Sequence, residues 1–566
     1  METSASGDQR GKALGNQREM TLSRLCGEAG LECPAEAGGI MIRGVTAHSR
    51  RVRPGWLFVA VPGMHTDGRA YIGEAFAAGA VAAVYQPDTD GQGTAQGVGH
   101  TAPPEASGQG LLLPADNVRV TMARLFDAWY GHPGRRLRLV GVTGTNGKTT
   151  VSFMLYHMLK AAGCPVGIIG TLGAVSPAGP VEIRPADERA AMTTPDPEEL
   201  YAILAHMADA TPPRETGTVV MEVSSHALAL GKVEPLSFDL SIFTNLSPEH
   251  LDFHGTAEAY FEAKQRLFAR SRLGVINGDD RWARSLPSLG LPVERWMICR
   301  SAPATCSAAV ACPDGNCDRC LAEQIRSLGL SGMEYRLTTP DARLRLVCPV
   351  PGQFSVMNSM EAAVAALTLG VSPGVVKDSL ASFPGVPGRL ERILPGAGYE
   401  TDFSVFIDFA HTPMALENLL LTFQRLRQGA GAAGDGAGRP GNGQPVRRIV
   451  VLFGCGGDRD RSKRRAMARI ASRMADVVVV TSDNSRSEDP QAIIRDILAG
   501  IDRESEYAVI PDRAEAIRHT IRYARPGDII LLCGKGHETY EIDRTGRHPF
   551  SERDIALAAW RERSGG

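Results

Sequence analysis

The stretch LVGVTGTNGKTTVSFML, residues 139–155, combines an apolar strand, a glycine-rich turn and the beginning of a helix. Backbone amides at such a turn face phosphate groups, while Lys148 adds positive charge and the Thr149 hydroxyl suits a magnesium ion. Two residues separate Gly144 from Gly147, where the Walker pattern has four. The alternative is a structural glycine turn, but Lys-Thr-Thr at the helix start favours a nucleotide site.

Length and composition limit the possible classes of protein. With 566 residues the chain is too long for one core, and three or four domains are expected. A net charge of -2 without a basic block argues against nucleic acid and anionic membranes as partners. The absence of a long apolar run argues against membrane insertion and secretion, and 11 scattered cysteines suit reduced thiols in the cytoplasm.

The pattern of strands and helices predicts an α/β protein of three domains. Residues 1–19 are expected to be a disordered tail, and 20–136 a small α/β domain. Residues 137–392 alternate strands and helices, which predicts a parallel sheet covered on both faces. In 393–566 the segments FIDFA, RRIVVLFG, ADVVVVTSD and DIILLCG are four candidate buried strands of a third domain.

Two stretches rich in glycine interrupt these domains. Residues 88–110 also contain proline and serine, and residues 429–445 have a similar composition. Both are predicted to be flexible surface insertions.

Three further side chains are candidates for a metal centre. Glu222 ends an apolar strand, where a carboxylate commonly serves a metal at the edge of a parallel sheet. His250 lies in the polar loop TNLSPEHLDFHGT, and by itself such a histidine is usually just solvated. Lys264 lies near the apolar stripe of the helix AEAYFEAKQRLFAR, and its simplest interpretation is a snorkelling surface lysine.

Motifs along the whole chain identify a family. GVTGTNGKTT, EVSSHAL, TNLSPEHLDFHGT, AKQRLF, GQFSVMNSMEAA, PGRLE, DFAHTP, GCGGDRD and GKGHE follow the order typical of Mur ligases. The set, which extends from about 40 to 560, resembles the MurE type, which adds the third residue of the peptidoglycan stem peptide. The resemblance implies an N-terminal domain for the UDP-sugar, a central P-loop ATPase-like domain and a Rossmann-like C-terminal domain for the amino acid. ATP and Mg²⁺ are the implied cofactors.

The resemblance also implies a reaction in which phosphate activates a carboxylate. The γ-phosphate of ATP passes to the substrate carboxylate, and the incoming amine then displaces phosphate from the acyl phosphate. Lys148, Lys264, His250 and Arg389 are the implied catalytic residues. Glu222, His250 and Thr149 match magnesium ligands, and Lys264 matches a lysine that is carboxylated by CO₂. A carbamate is an anionic ligand, whereas an ammonium group would be repelled by the metal.

Binding residues carry over position by position. The implied nucleotide contacts are Gly144, Thr145, Asn146, Gly147, Lys148, Thr149, Thr150, Asn358, Arg389, Asp408 and His411. The implied contacts to the UDP-muramoyl dipeptide are Ser49, Thr193, Thr194, Ser224 and Lys232. The implied amino-acid contacts are Arg459, Asp483, Asn484, Ser485, Arg486, Gly534 and Glu538. The chain departs from the family at His48, Lys232 and Ser355, where aspartate, arginine and asparagine are usual.

The segment DNSR, residues 483–486, indicates which amino acid is added. Relatives that add meso-diaminopimelate carry Asp-Asn-Pro-Arg here. An arginine at 486 can hold the second carboxylate of diaminopimelate through two parallel hydrogen bonds and would repel the ammonium of lysine. Ser485 replaces the proline, which frees the backbone before Arg486.

Several alternatives stay open on the sequence alone. They are the same reaction with L-lysine, a ligase for another amino acid or for folate, a P-loop GTPase or regulatory ATP-binding module, and a non-catalytic Mur-like scaffold. A structural zinc is a further possibility, since TCSAAVACPDGNCDRC places Cys306, Cys312, Cys317 and Cys320 in one insertion. It contains one C-x-x-C, which is a weak signal. We expect a cytoplasmic monomer.

Overall fold

A computed structural model describes residues 18–63, 66–87, 110–183, 192–301, 316–395, 402–432, 446–502 and 504–564. The chain divides into two compact units. Within the described ranges, the first comprises residues from 18 to 152, 159 to 298 and 316 to 317, and the second comprises 153 to 158, 299 to 301 and 318 to 564. The predicted tail and both glycine-rich insertions fall almost entirely outside the described residues.

The N-terminal part of the first unit contains a two-stranded antiparallel sheet and a four-stranded parallel sheet. Its elements are β1 (Met20–Thr21), α1 (Leu22–Ala29), β2 (Met41–Ile42), β3 (Gly44–Thr46), β4 (Trp56–Ala60), α2 (Ile72–Ala77), β5 (Ala82–Tyr85), β6 (Leu111–Pro114) and α3 (Val118–Trp129). Strands β3-β4-β5-β6 pair in that order, all in parallel. The strands predicted in RPGWLFVAVPG and GAVAAVYQP are confirmed as β4 and β5.

A larger sheet follows in the same unit. Its elements are β7 (Leu137–Thr143), α4 (Lys148–Ala161), β8 (Val166–Gly170), β9 (Gly173–Ser176), β10 (Gly179–Pro180), α5 (Pro197–Asp209), β11 (Gly217–Glu222), α6 (Ser225–Ala229), β12 (Phe238–Phe243), α7 (Leu251–His254), α8 (Ala257–Phe268), β13 (Ser271–Asn277) and β14 (Arg295–Arg300). The strand order is β10-β9-β8-β11-β7-β12-β13-β14, and β8, β11, β7, β12 and β13 are parallel. The chain crosses from β11 over β7 to β12, so a crevice is expected at the carboxyl ends of these three strands.

The second unit contains three antiparallel strands, a mainly parallel sheet of six strands and a two-stranded antiparallel sheet. Its elements are β15 (Cys317–Ser327), β16 (Met333–Thr338), β17 (Arg343–Cys348), α9 (Phe354–Thr368), α10 (Pro373–Ala381), β18 (Glu391–Ile393), β19 (Ser404–Asp408), α11 (Pro413–Ala432), β20 (Arg448–Phe453), α12 (Ser462–Met474), β21 (Val477–Val480), α13 (Pro490–Leu498), β22 (Glu506–Val509), α14 (Arg513–Arg522), β23 (Asp528–Cys533), β24 (Tyr540–Asp543), β25 (Gly546–Pro549) and α15 (Glu552–Ser564).

Two sequence predictions for this unit were wrong. The parallel alternation does not continue to 392, because β15, β16 and β17 are antiparallel. Buried and half-buried residues alternate along β16, as in a strand with one solvent face, and four residues join it to β17, too few for a parallel crossover. The second insertion also begins later than predicted, since α11 continues to Ala432.

The last parallel sheet confirms the four predicted buried strands. They are β19, β20, β21 and β23, in the order β18-β19-β23-β20-β21-β22. The sequence pattern missed β18, which is short, and β22, most of whose residues are exposed. No helix in the described part of the chain is both long and apolar enough to cross a membrane.

Candidate active site

The loop after β7 takes a conformation that its glycines make possible. Gly144 has a φ of 142° and Gly147 a φ of 87°, both in the region that favours glycine. A Cβ on Gly144 would lie 2.0 Å from the Oγ1 of Thr244, so no larger residue fits there. The loop leads directly into α4, as the sequence predicted for a phosphate-binding turn.

The end of β12 holds this loop in place. The backbone N–H of Thr145 donates to the carbonyl of Asn245 at 2.8 Å, and the N–H of Asn146 donates to the Asn245 side chain at 3.0 Å. The Thr244 hydroxyl donates to the Asn146 carbonyl at 2.6 Å. Sequence reasoning missed Asn245, although its position immediately after a strand of this sheet was an available signal.

Two lysines converge on the first glycine of the loop. Lys148 Nζ donates to the carbonyls of Gly144 at 2.9 Å and Thr145 at 2.8 Å, and Lys264 Nζ donates to the Gly144 carbonyl at 2.9 Å. Lys264 is 1% exposed, so the snorkelling interpretation is wrong. Its amine lies 4.5 Å from the centre of the Tyr260 ring. Burial, followed by the nearby charge of Lys148, holds the pKa of Lys264 well below its ordinary value.

A fixed carboxylate faces the start of α4. Glu222 is fully buried at the end of β11, and its Oε2 accepts from the hydroxyls of Thr149 at 2.9 Å and Thr171 at 3.2 Å. Its Oε1 accepts from the Thr171 N–H at 3.0 Å. The Thr171 hydroxyl also lies 3.3 Å from that of Thr193. A Cβ on Gly170 would lie 2.2 Å from Oε1, so the close approach of the carboxylate requires glycine.

His250 belongs to an aromatic cluster. It precedes α7 with a φ of 57°, and its ring centre lies 4.7 Å from that of His226 and 6.3 Å from that of Tyr260. Burial, together with the neighbouring His250, lowers the pKa of His226 to about 4, so His226 is neutral at pH 7. Sequence reasoning missed His226, although EVSSHAL contains it. Among the described residues, no three His, Cys, Asp or Glu side chains form a metal site by themselves.

Three of the residues expected to hold the UDP-muramoyl dipeptide, Thr193, Thr194 and Ser224, lie beside Glu222 and its neighbour Thr171. The Thr194 hydroxyl donates to the Glu222 carbonyl at 2.9 Å and accepts from the Ser224 N–H at 3.0 Å. Lys232 Nζ lies 2.8 Å from a carboxylate oxygen of Asp196, another residue that the sequence analysis missed.

Ser49 begins a 3₁₀ helix, Ser49–Arg51, in the loop after β3. Glu198, in the first turn of α5, accepts from the Thr46 hydroxyl at 3.3 Å and the Ala47 N–H at 3.4 Å. These bonds attach the Ser49 loop to the segment that carries Thr194.

In the second unit, three of the expected nucleotide contacts, Arg389, Asp408 and His411, lie around the end of β19. The Leu390 N–H donates to Asp408 Oδ2 at 2.7 Å, and the guanidinium of Arg389 lies 4.8 Å from the centre of the Phe409 ring. Burial raises the pKa of Asp408, while the charge of Arg389 opposes that shift. His411 Nδ1 lies 2.8 Å from the Phe409 carbonyl.

Apart from Arg459, the expected amino-acid contacts follow the carboxyl ends of β21 and β23. Asn484 Nδ2 donates to Glu538 Oε2 at 2.7 Å, and buried Lys535 donates to Asn484 Oδ1 at 3.1 Å. The guanidinium of Arg486 donates to the Gly457 carbonyl at 2.8 Å. Burial, followed by the charge of Asp483, raises the pKa of Glu538. Ser485, which lies between Asn484 and Arg486 in the sequence, is buried.

Gly534, at the end of β23, has a φ of 111°. A Cβ there would lie 2.9 Å from Asp483 Oδ2, and the positive φ also favours glycine next to that carboxylate.

Three residues that the sequence analysis assigned to the nucleotide and amino-acid sites make none of the contacts described above. Thr150 is half-buried in the first turn of α4, Asn358 is buried in α9, and Arg459 is exposed after β20. The zinc hypothesis stays a prediction, because Cys306 and Cys312 lie outside the described residues.

Comparisons with known proteins match the chain along most of its length. Residues 41–130 match the model "Mur ligase family, catalytic domain", 142–366 match "Mur ligase middle domain", and 388–536 match "Mur ligase, glutamate ligase domain".

Two similar relatives are both named UDP-N-acetylmuramoyl-L-alanyl-D-glutamate–2,6-diaminopimelate ligase. The one from Synechococcus elongatus is 40% identical over 93% of this chain and 95% of its own. The one from Pseudomonas aeruginosa is 40% identical over 93% of this chain and 97% of its own. A solved structure with the same name has a TM-score of 0.60 and 27% identity, covering 96% of this chain and 99% of its own.

Proposed function

The chain belongs to the Mur ligase family, and on that premise we propose that it joins meso-2,6-diaminopimelate to UDP-N-acetylmuramoyl-L-alanyl-D-glutamate. The bond forms at the D-glutamate carboxylate, with ATP converted to ADP and phosphate. The reaction belongs to the synthesis of peptidoglycan precursors. One observation carries this proposal: the same chain contains both a phosphate-binding turn bonded to Glu222 and a DNSR loop that holds Arg486.

The loop after β7 supports the phosphate-transfer step. Its backbone amides and the ammonium of Lys148 are the groups that stabilise a triphosphate and the charge that develops during transfer. Lys148 donates to loop carbonyls, so its amine is already at the mouth of the turn. The substrate carboxylate attacks the γ-phosphate, ADP leaves, and the amine of the amino acid then displaces phosphate from the acyl phosphate.

The donor chemistry around Glu222 fits magnesium. The buried carboxylate and the Thr149 hydroxyl are 2.9 Å apart, and oxygen ligands are those that Mg²⁺ prefers. His250 would supply a further ligand. When bound, magnesium neutralises phosphate charge.

Lys264 suits conversion to a carbamate. Carbamate formation consumes an unprotonated amine and CO₂, and the burial of Lys264 favours the unprotonated form. The product would add anionic oxygens beside the loop, where the described residues alone lack a three-membered set of acidic, His or Cys ligands.

The DNSR loop supports diaminopimelate as the amino acid. Arg486 offers a planar fork for the second carboxylate, and Glu538, bonded to Asn484, offers a negative charge for the ammonium beside it. For the other substrate, we propose Thr193, Thr194, Ser224 and Lys232 as contacts to the muramoyl dipeptide, and Ser49 as the contact near uridine.

The test is release of phosphate in reactions that lack one component in turn. We expect release that requires ATP, the UDP-muramoyl dipeptide and diaminopimelate together. Release without an amino acid would indicate an ATPase module, and no release with any acceptor would indicate a scaffold. Preference for lysine over diaminopimelate would overturn the amino-acid assignment while retaining the reaction.

A further inference from the structure

An ion pair between a buried arginine and a half-buried glutamate lies next to the DNSR loop. Arg464, on α12, is 1% exposed, and its two terminal nitrogens bond the two carboxylate oxygens of Glu488 at 2.8 and 3.0 Å. Such a bidentate pair fixes both distance and orientation. Asp496 on α13 accepts a further bond from Arg464 at 2.9 Å. None of these three residues is among the expected substrate contacts.

The pair ties two loops together. Glu488 Oε1 accepts from the Asp458 N–H at 2.7 Å, and the Asp458 carboxylate in return accepts from the N–H of Ser487 at 3.1 Å and from its hydroxyl. Arg464 also donates to the Gly456 carbonyl at 3.3 Å. The loop after β20 and the loop after β21 therefore hold each other through reciprocal bonds.

Arg486 is connected to these two loops through Gly457. Gly457 donates its N–H to the Asn484 carbonyl at 2.9 Å and accepts from the Arg486 guanidinium at 2.8 Å. Asp458 and Arg486 have φ values of 53° and 51°, which residues other than glycine rarely adopt unless their surroundings impose them. Removing the Arg464–Glu488 bonds would let both residues relax and would release the guanidinium from its present direction.

We propose that Arg464 and Glu488 are positioning residues for amino-acid recognition, acting through Arg486 without touching the substrate. The inference rests on the proposed function, because it takes Arg486 as the contact to the distal carboxylate. It predicts a loss confined to the amino-acid site.

The experiment measures KM and kcat for all three substrates in Glu488→Gln, which keeps the size of the side chain and removes its charge. Residues that orient a metal ligand without touching the metal typically contribute about 10- to 100-fold to affinity. By analogy, we expect the KM for diaminopimelate to rise about 10- to 100-fold. The KM values for ATP and for the UDP-muramoyl dipeptide should stay within about threefold, as should kcat.

The matched control is Arg448→Gln. Arg448 makes a bidentate pair with buried Asp528 at 2.7 and 3.0 Å. This pair lies at the amino ends of β20 and β23, whereas the loops held by Arg464 and Glu488 follow the carboxyl ends of β20 and β21. We expect this variant to lower the melting temperature without a change in the KM for diaminopimelate. A merely structural role for Glu488 would make the two variants alike.

A second variant protects the test against misfolding. Asp458 is exposed, and the substitution Asp458→Asn weakens the bonds that its carboxylate accepts from Ser487. We expect this variant to raise the KM for diaminopimelate by a smaller factor than Glu488→Gln does. An unchanged KM for diaminopimelate in folded Glu488→Gln, or in Asp458→Asn if Glu488→Gln does not fold, would overturn the inference. An equal rise for all substrates would do so too. Failure of the proposed function is distinct, because the wild type itself would then ligate no diaminopimelate.

Discussion

Replacing Lys264 by methionine separates its chemical role from its structural one. Methionine has a similar unbranched shape, so the buried volume beside the phosphate loop is largely retained. The lost group is an amine that donates to the Gly144 carbonyl at 2.9 Å. That carbonyl still accepts from Lys148 at 2.9 Å, so no buried acceptor is left without a partner.

The two magnitudes differ enough to be told apart. Loss of one hydrogen bond with its acceptor still satisfied should cost about 1 kcal/mol of unfolding free energy or less. Loss of a charged group that stabilises the transition state typically lowers kcat by about 10²- to 10³-fold, or roughly 3–4 kcal/mol. We therefore expect Lys264→Met to be folded and nearly inactive.

The assay is ADP formation with all three substrates, alongside urea unfolding. The matched control is Lys377→Met, because Lys377 is an exposed lysine on α10. Its kcat and its free energy of unfolding should resemble those of the wild type. If the amine forms a carbamate, removal of CO₂ and bicarbonate should lower wild-type activity reversibly, and a short carboxylate should partly rescue Lys264→Met. A Lys264→Met variant with more than about a tenth of the wild-type kcat would refute the assignment, since charge stabilisation of the expected size could not then be lost.

Further substitutions and pH test other parts of the site. Glu222→Gln keeps the shape of a fully buried side chain and should reduce kcat by about 10²-fold or more, with a much smaller effect on melting temperature; equal losses would contradict a role in the chemistry. Arg486→Ala should raise the KM for diaminopimelate by about 30-fold or more, as expected for an unpaired buried charge, and side-by-side ligation with lysine checks the specificity. Ser485→Pro should be tolerated and stabilise the loop by about 0.4–1 kcal/mol, because within the described residues the Ser485 N–H donates no hydrogen bond; a lower unfolding free energy would contradict this. The pKa of His226 is about 4 in the folded chain, below its ordinary value of 6.5. Because the unfolded chain then binds the proton at a higher pH than the folded chain, the free energy of unfolding should fall as the pH drops from 6.5 to about 4. Urea unfolding at several pH values should show a weaker pH dependence of this free energy in His226→Gln.

Local patterns in the sequence determined the main secondary structure and the chemical groups of the site. Buried strands are continuous apolar runs, so β7, β11, β20 and β23 could be recognised from composition alone. The phosphate loop was recognisable because its glycines are followed by Lys-Thr-Thr at the start of a helix. The domain boundaries, the cytoplasmic location and the monomeric state, also expected from the sequence, stay predictions.

Tertiary structure decided which of these groups act together. The burial of Lys264 could not be read from its helix, because a lysine beside an apolar stripe is equally compatible with snorkelling until the neighbouring strand is placed. The antiparallel β15–β17 sheet depends on strand pairing, which the pattern of a single strand does not specify. The Arg464–Glu488 pair joins residues 24 positions apart, and its geometry exists only once two strands of one sheet bring their following loops side by side. Periodicity is a property of local sequence, whereas the distance between side chains is a property of packing.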